Sequence, residues 1–472
     1  MAADEKGIFK WFLVAASFIV QSIATSIVYS YGIFYIEYLK KFEWNHLRIS
    51  CIGAMLMSSA VLGGLPACVL INKLGCRLTV LSGALVSAIP FALSNFLLEN
   101  FYYILCIRGM VLGLGLGLTI LPSILIVHVY FEKSKTLALS LIISGSSLGL
   151  AIVPYAILRL KEHSTIINNY SLMGICLLMV PCSLFMTEKG KTTLKLTRGM
   201  MDLFDPMLIH HQAFLVLVAC NFIWSLGSSI FFMYLPVQGY LTGNGLNRSV
   251  YIIIAISITI FIIKPMLTIF NQAATFDHGT AFVFTIVLPV LFTTFCGEAS
   301  VSYTGQMGYS ILFGIHVAFW TTYTRSASQE LIGQENLALG KGFIITSIGL
   351  GLLVGPIFAG LLLDMLKTTY YVFYLSGMAL ILAGVIMLIA KLTGCTNVYS
   401  DKKVDISETI AFVDNASSTN STPTESITYN DPLESALYEI MVSGSTVQAR
   451  RAIATLHIDS KRTDSSFKIT KA

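Results

Sequence analysis

A lysine and a proline interrupt one of the most apolar stretches of the chain, IFIIKPMLTIF (260–270). Nine of these eleven residues would be at home in lipid, and Lys264 carries the charge. An ammonium ion inside an apolar helix costs a few kcal/mol even on lenient insertion scales, so something must repay it. At about 100° per residue, Ser257, Lys264, Thr268 and Asn271 fall within roughly 60° of one another. Lys264 therefore belongs to a polar stripe rather than a lipid face. Pro265 lacks an N–H and frees the carbonyl of Phe261. Two roles are open to the lysine: a cation facing an internal cavity, or a long side chain snorkelling to the interface.

Other apolar segments carry similar stripes. Ser22, Thr25, Ser26 and Tyr29 share a face, as do Asn221, Ser225 and Ser228. Arg108, Gly115 and Thr119 share another, among glycines 109, 113, 115 and 117 that permit close helix contact. Tyr309, His316, Trp320 and Tyr323 form an aromatic face with one titratable member. Lipid has no use for such groups, so they predict a polar, partly aromatic cavity at the centre of a helix bundle. Arg108 reads either as a cavity cation or as an anchor at a helix end. His316, Trp320 and Tyr323 read either as packing or as pocket lining.

The elements that position these residues are membrane spans. The chain of 472 residues is 55% hydrophobic and 12% charged, with a mean hydropathy of +0.76; a soluble domain carries about 25% charged residues. A crossing helix needs about 20 mostly apolar residues. Twelve such runs occur, at 11–36, 49–71, 78–97, 101–126, 136–158, 168–187, 212–238, 249–270, 279–297, 303–325, 340–363 and 369–392. The expected class is all-α, with an N-terminal six-helix bundle (11–187), a basic central loop (188–211) and a C-terminal six-helix bundle (212–392). Residues 1–10 precede the first span, and the polar stretch 393–472, rich in Ser, Thr, Asn and Asp, reads as a disordered tail. With the N-terminus inside, twelve basic residues of the loops fall on the inner side and seven on the outer. That bias places both termini in the cytosol, and of the sequon asparagines only Asn169 and Asn247 then fall outside.

Much is excluded. The nine cysteines are scattered without a C-x-x-C pair, which argues against a disulfide framework or metal cluster. His210 and His211 lack a third ligand at suitable spacing, so no metal is expected. No nucleophile–base motif or phosphate loop points to an enzyme, and a net charge of +5 gives no reason to expect nucleic acid. A weak internal echo links KTLALSLIISGSSLGLAIVP, from Lys135, with KGFIITSIGLGLLVGP, from Lys341. Related halves of six helices are a property of one fold of secondary transporters.

Four segments in order carry a resemblance to a known family. They are NKLGCRLTVLSG (72–83), YFEKSKTLALSLIISGSSLG (130–149), ELIGQENLALGKG (330–342) and GPIFAGLLLD (355–364). Together they resemble the monocarboxylate transporters of the major facilitator superfamily over about 6–377. Before the first span, KGIFKW (6–11) keeps Gly7, Phe9 and Trp11 but has Lys6 where the family has an acid. The family's late first-span lysine falls on Tyr29. Its eighth-span Asp–Arg pair falls on Ile260 and Lys264, so the lysine stands in for the arginine and the acid is missing.

The resemblance implies a twelve-helix carrier that moves a small organic acid through the plasma membrane by alternating access. The substrate-binding candidates are Lys264, Tyr29, Arg108, His316, Asn221 and Trp320, and the gating or topology candidates are Lys133, Lys135, Arg77 and Asp364. Lys264 would compensate the substrate carboxylate, without the bidentate grip of an arginine. No cofactor is implied beyond a candidate proton co-substrate, left open by Tyr29 and Ile260. A single-span accessory protein is also left open. Two rival readings are uniport of aromatic amino acids or iodothyronine-like amphipaths, and a non-transporting sensor or scaffold acting through the tail.

Overall fold

The computed structural model describes residues 2–42, 44–95, 100–131, 135–161, 165–186, 212–273, 278–294 and 302–392. These lie in one compact unit, Met1–Lys403. The central loop 187–211, Lys133 and the tail lie outside the described residues.

The elements are α1 (Ala2–Tyr29), α2 (Tyr31–Lys41), α3 (His46–Leu62), α4 (Gly64–Leu93) and the single turn α5 (Phe101–Ile104). A π-helical stretch, Leu105–Val111, leads into α6 (Leu112–Tyr130). Then come α7 (Lys135–Lys161), α8 (Thr165–Leu177), α9 (Met179–Phe185) and α10 (Gln212–Gly239). After a second π stretch, Tyr240–Asn244, follow α11 (Gly245–Ala273), α12 (His278–Thr294), α13 (Tyr303–Leu366) and α14 (Tyr370–Leu392).

Among the described residues, eight stretches are long and apolar enough to cross a membrane, and two of them, His46–Leu93 and Phe214–Thr268, contain a reversal. Within α4 the chain turns at Gly75 (φ 82°), and between α10 and α11 it turns at Gly243 (φ 83°) and Gly245 (φ 72°). L side chains disfavour these left-handed backbones, so glycine sits at both turns. Adding α12 and the first part of α13 gives twelve passes, and the chain is a multi-pass membrane protein. The 64 residues of α13 would extend about 96 Å as one straight helix, roughly three bilayer cores. They do not, because His316 and Gly351 both lie against the turn of α10 that holds Phe222, Trp224 and Ser225. The first pass also differs from its run of 11–36. It bends at Ser30 and continues through Lys41, with Tyr31 to Tyr38 all buried. Glu37 and the terminal lysines dilute its apolar composition, but protein rather than lipid surrounds it.

Small residues set the helix spacing, as expected where lipid is as apolar as leucine and packing drives association. They do so twice. A Cβ on Gly145 or Gly149 of α7 would collide with the carbonyl oxygens of Phe18 or Ser22 on α1. A Cβ on Gly351 or Gly355 of α13 would collide with those of Phe222 or Leu226 on α10. Both glycine pairs stand 10 and 14 residues past the lysine that opens the sequence echo. In the same way Gly113 of α6 abuts Leu56 and Ser59 of α3, and Gly314 of α13 abuts Ile256 and Thr259 of α11. The halves are thus built in matching register. In that register residue 64, at the α3–α4 junction, corresponds to residue 264 on α11. The corresponding passes carry Gly64 and Lys264.

Candidate functional site

The two halves meet at the end of the bundle where α2 and α10 finish and α3 begins. That end, remote from the N-terminus across the first pass, is called the distal face below. There Tyr35 packs on Tyr234 with ring centroids 5.5 Å apart. The Tyr234 and Ser50 hydroxyls share a 2.5 Å hydrogen bond, and the Tyr35 hydroxyl is 2.7 Å from Nδ1 of His46. Gly32 lets α2 approach Pro236 and Met233 of α10, and Gly360 lets α13 approach Leu47 and Ser50 of α3. Asp364 accepts the backbone N–H groups of His46 (3.0 Å) and Leu47 (2.9 Å).

One layer deeper, an aromatic chain crosses the seam. Tyr29 lies 4.8 Å from Phe232, Phe232 lies 5.0 Å from Phe313, and Phe313 stacks on Phe231 at 4.5 Å. Tyr29 is half-buried, and its hydroxyl makes no hydrogen bond among the described residues. Behind this chain, in the C-terminal half, the indole N–H of Trp224 donates to Nε2 of His316 at 3.2 Å. Trp224 stacks on Trp320 with centroids 5.6 Å apart and planes 7° from parallel. Trp320 is fully buried in a core with Leu217, Cys220, Ala383 and Met387. Its Nε1 is buried with no hydrogen-bond partner among the described residues.

Lys264 is half-buried on α11. Ile258, Ile262 and Met266 are exposed on the lipid side of that helix, while Ile253, Ser257 and Ile260 are buried. Lys264 stands two positions past Ile262, about 200° around the axis. The lysine thus shares the packed face with Ser257 and Ile260, on a helix that packs against α7 of the other half and α13. Its carbonyl accepts the Thr268 hydroxyl at 2.9 Å.

Arg108 is held elsewhere. It is buried inside the N-terminal half, near the distal face, where the helix widens into its π stretch. Nε donates to Ser94 (2.7 Å) and Nη1 to the Tyr38 hydroxyl (3.1 Å). Nη2 donates to Oδ1 of Asn169, and the guanidinium lies 5.8 Å from the Phe34 ring and 5.4 Å from Phe91. Asn169 in turn donates to Oδ1 of Asn95 at 2.7 Å. The sequon asparagine at 169 is therefore a buried strut, whereas Asn247 is exposed.

The remaining candidates are dispersed. Asn221 is buried and donates to the carbonyl of Leu217 on its own helix at 2.8 Å. Arg77 is exposed just past the Gly75 turn. Lys135 opens α7, and Lys133 lies outside the described residues. The structure brings together His316 and Trp320, sets Tyr29 on a seam between the halves, places Lys264 on a helix that packs against the other half, and keeps Arg108 apart. Sequence reasoning missed Trp224, Ser50 and Tyr234. Trp224 sits three residues from Asn221, beside the stripe that was read; Ser50 and Tyr234 are 184 residues apart and no periodicity links them.

With this geometry in view, comparison with known proteins gives a consistent answer. The profile of the Major Facilitator Superfamily matches residues 12–334. Monocarboxylate transporter 2 of Meriones unguiculatus is 24% identical over 410 residues, covering 79% of this chain and 82% of the relative. Monocarboxylate transporter 12-B of Danio rerio is 23% identical over 429 residues, covering 80% and 86%. Monocarboxylate transporter 6 of Homo sapiens is 22% identical over 405 residues, covering 81% and 80%. Among solved structures, a mutant form of the nucleoside transporter NupG superposes with a TM-score of 0.66 at 14% identity, covering 81% of this chain and 99% of that one.

Proposed function

The chain belongs to the Major Facilitator Superfamily, and on that footing we propose that it carries a small monocarboxylate-like organic acid across the plasma membrane by alternating access, with both termini in the cytosol. The observation that carries this reading is the position of Lys264: a cation on the packed face of α11, opposite that helix's lipid-facing side, on a helix that packs against α7 of the other half. A carboxylate arriving there would offset part of the lysine's desolvation. Tyr29 supplies a hydroxyl at the seam. The Trp224–His316 pair and Trp320 form a rigid wall behind it, and Asn221 lies one turn away on the same helix. Arg108 holds the distal part of the first pass in place, and Arg77 and Lys135 mark the cytosolic ends of their helices.

Two six-helix halves in matching register suit a rocking motion about a site on their shared axis. A transporter rather than an enzyme is the reading the relatives support. The test is uptake of labelled pyruvate by cells expressing the wild type or Lys264→Gln, at external pH 6 and 7.5. Uptake lost with the glutamine supports the reading, and the ratio between the two pH values reports whether a proton travels with the acid. A wild-type protein present at the surface that moves no pyruvate at either pH refutes it for short monocarboxylates.

One observation favours a second reading, uniport of aromatic amino acids or iodothyronine-like amphipaths. The Tyr29–Phe232–Phe313 chain offers flat apolar faces at the seam. Competition between pyruvate and an aromatic amino acid separates the two.

A further inference from the structure

Asp364 stands where its own helix gains nothing from it. It lies in the last turn of α13, at the negative end of that helix's dipole, where a carboxylate is unfavourable. Its oxygens instead accept the N–H groups of His46 and Leu47, the first two residues of α3. Those groups are among the four at a helix start that lack an intrahelical partner, and the positive end of the dipole favours an anion there. The N-cap residue of α3, Asn45, has extended N-cap backbone (φ −62°, ψ 152°), yet its side chain caps nothing. The cap comes in trans, from the other half of the molecule. It sits over the Gly360–Ser50 contact and beside the Tyr35–His46 and Ser50–Tyr234 hydrogen bonds, all of them joining the first half's distal end to itself or to the second half.

We propose that Asp364 is the outer latch of the transport cycle. It caps α3 only while the distal ends of the halves are together, and its release accompanies opening of the outer face. The proposal rests on the alternating-access reading, but its test uses no substrate. A chain that carries no pyruvate can still have the latch, and a pyruvate carrier can lack it.

The test is hydrogen–deuterium exchange, read by mass spectrometry, on the full chain in lipid nanodiscs. Asp364→Asn keeps the shape and one acceptor but removes the charge. Asn45→Asp gives α3 a cap of its own, competes for the Leu47 N–H and places a second carboxylate beside Asp364, so it loosens the latch without weakening the helix. Loss of a charged cap shifts an equilibrium about fivefold to tenfold. The segments to read are 31–38 and 230–238, which the closure buries but the carboxylate does not touch. Exchange about fivefold faster there in both variants supports the latch. Wild-type rates there in either variant overturn it, whether or not exchange at 46–49 rises, because loss of a merely local cap frays only the first turn of α3.

Discussion

The glycine pairs that set the spacing of the helices make a demanding prediction. A Cβ on Gly149 would stand 2.6 Å from the carbonyl carbon of Ser22 and 2.7 Å from its Cα. Both are backbone atoms and cannot rotate away, and ordinary contact begins near 3.4 Å. The carbonyl oxygen of Ser22 is nearer still, so Gly149→Ala forces α1 and α7 apart by more than about 0.8 Å, a gap that forfeits at least a quarter to a half of the dispersion energy of each contact it opens. Overpacking of this kind costs about 1–3 kcal/mol, partly offset by the gain of up to about 1 kcal/mol from alanine's better helix propensity. Gly174 on α8 has open space where a Cβ would go, so Gly174→Ala takes the propensity gain alone. The two substitutions are chemically identical, yet their stabilities should differ by about 1–3 kcal/mol. At about 2–4 °C per kcal/mol for units the size of one half, Gly149→Ala should melt several degrees below Gly174→Ala in a fluorescence-detected thermal assay. Gly355→Ala, in the matching position against α10, should fall on the same side. If Gly149→Ala and Gly174→Ala melt together, the close approach of α1 to α7 is not as described and the matched register loses its main support.

Three further outcomes follow from the site. Arg108→Lys keeps the charge but breaks a fork shared by Ser94, Tyr38 and Asn169; with hydrogen bonds to charged groups worth about 1.5–3 kcal/mol each, thermal stability should drop clearly, while Arg77→Lys, at an exposed position, should change it by less than about 0.5 kcal/mol. Tyr29→Phe keeps the ring on Phe232 and removes only the hydroxyl, so stability should hold while the KM of the transported acid rises; an unchanged KM removes Tyr29 from the site. Trp224→Phe withdraws the indole donor from His316 and should cost about 1–3 kcal/mol, read as a lower melting temperature that substitution of the exposed Tyr102 does not reproduce.

The sequence made the passes legible because each is an apolar run of the length a bilayer requires, and the glycines at 75, 243 and 245 fall where the runs break. The polar stripes were harder. Periodicity tells which residues share a helix face but not which neighbour takes that face. Ser22 donates to the carbonyl of Gly145 at 2.7 Å, and Ser225 lies against Gly351. At these two positions, what reads as a cavity lining is a serine meeting a glycine at a tight crossing. Arg108 illustrates the same limit: it shares a face with Gly115 and Thr119, but that face turns into its own half. Asp364 was visible as part of a family-like segment, yet its partners are backbone N–H groups more than 300 residues away, which carry no residue signature at all.

A matched pair of halves makes departures from the match informative. At the crossings that hold each half together, both halves use the same solution, glycine against backbone, because both face the same packing problem in lipid. Lys264 breaks that rule. In the register set by Gly113 with Leu56 and by Gly314 with Ile256, its counterpart is Gly64, where a Cβ would come no nearer than 3.9 Å to Ile345. One side of the molecule thus keeps a small residue and the other installs a cation on the packed face of the equivalent pass. Asp364 is the second departure: its counterpart, 206 residues earlier, is the apolar Leu158, so only one of the two distal crossings carries a charged cap. Packing needs neither charge, since the opposite half folds without them. On the proposed function, a cation to meet an anion and a carboxylate to hold one face shut are what a carrier would add to a symmetric scaffold. The double variant Lys264→Gly, Asp364→Leu should accordingly fold and reach the membrane while carrying nothing. If it instead fails to fold, with both single variants folding, the two charges serve assembly, and the functional reading of the asymmetry falls.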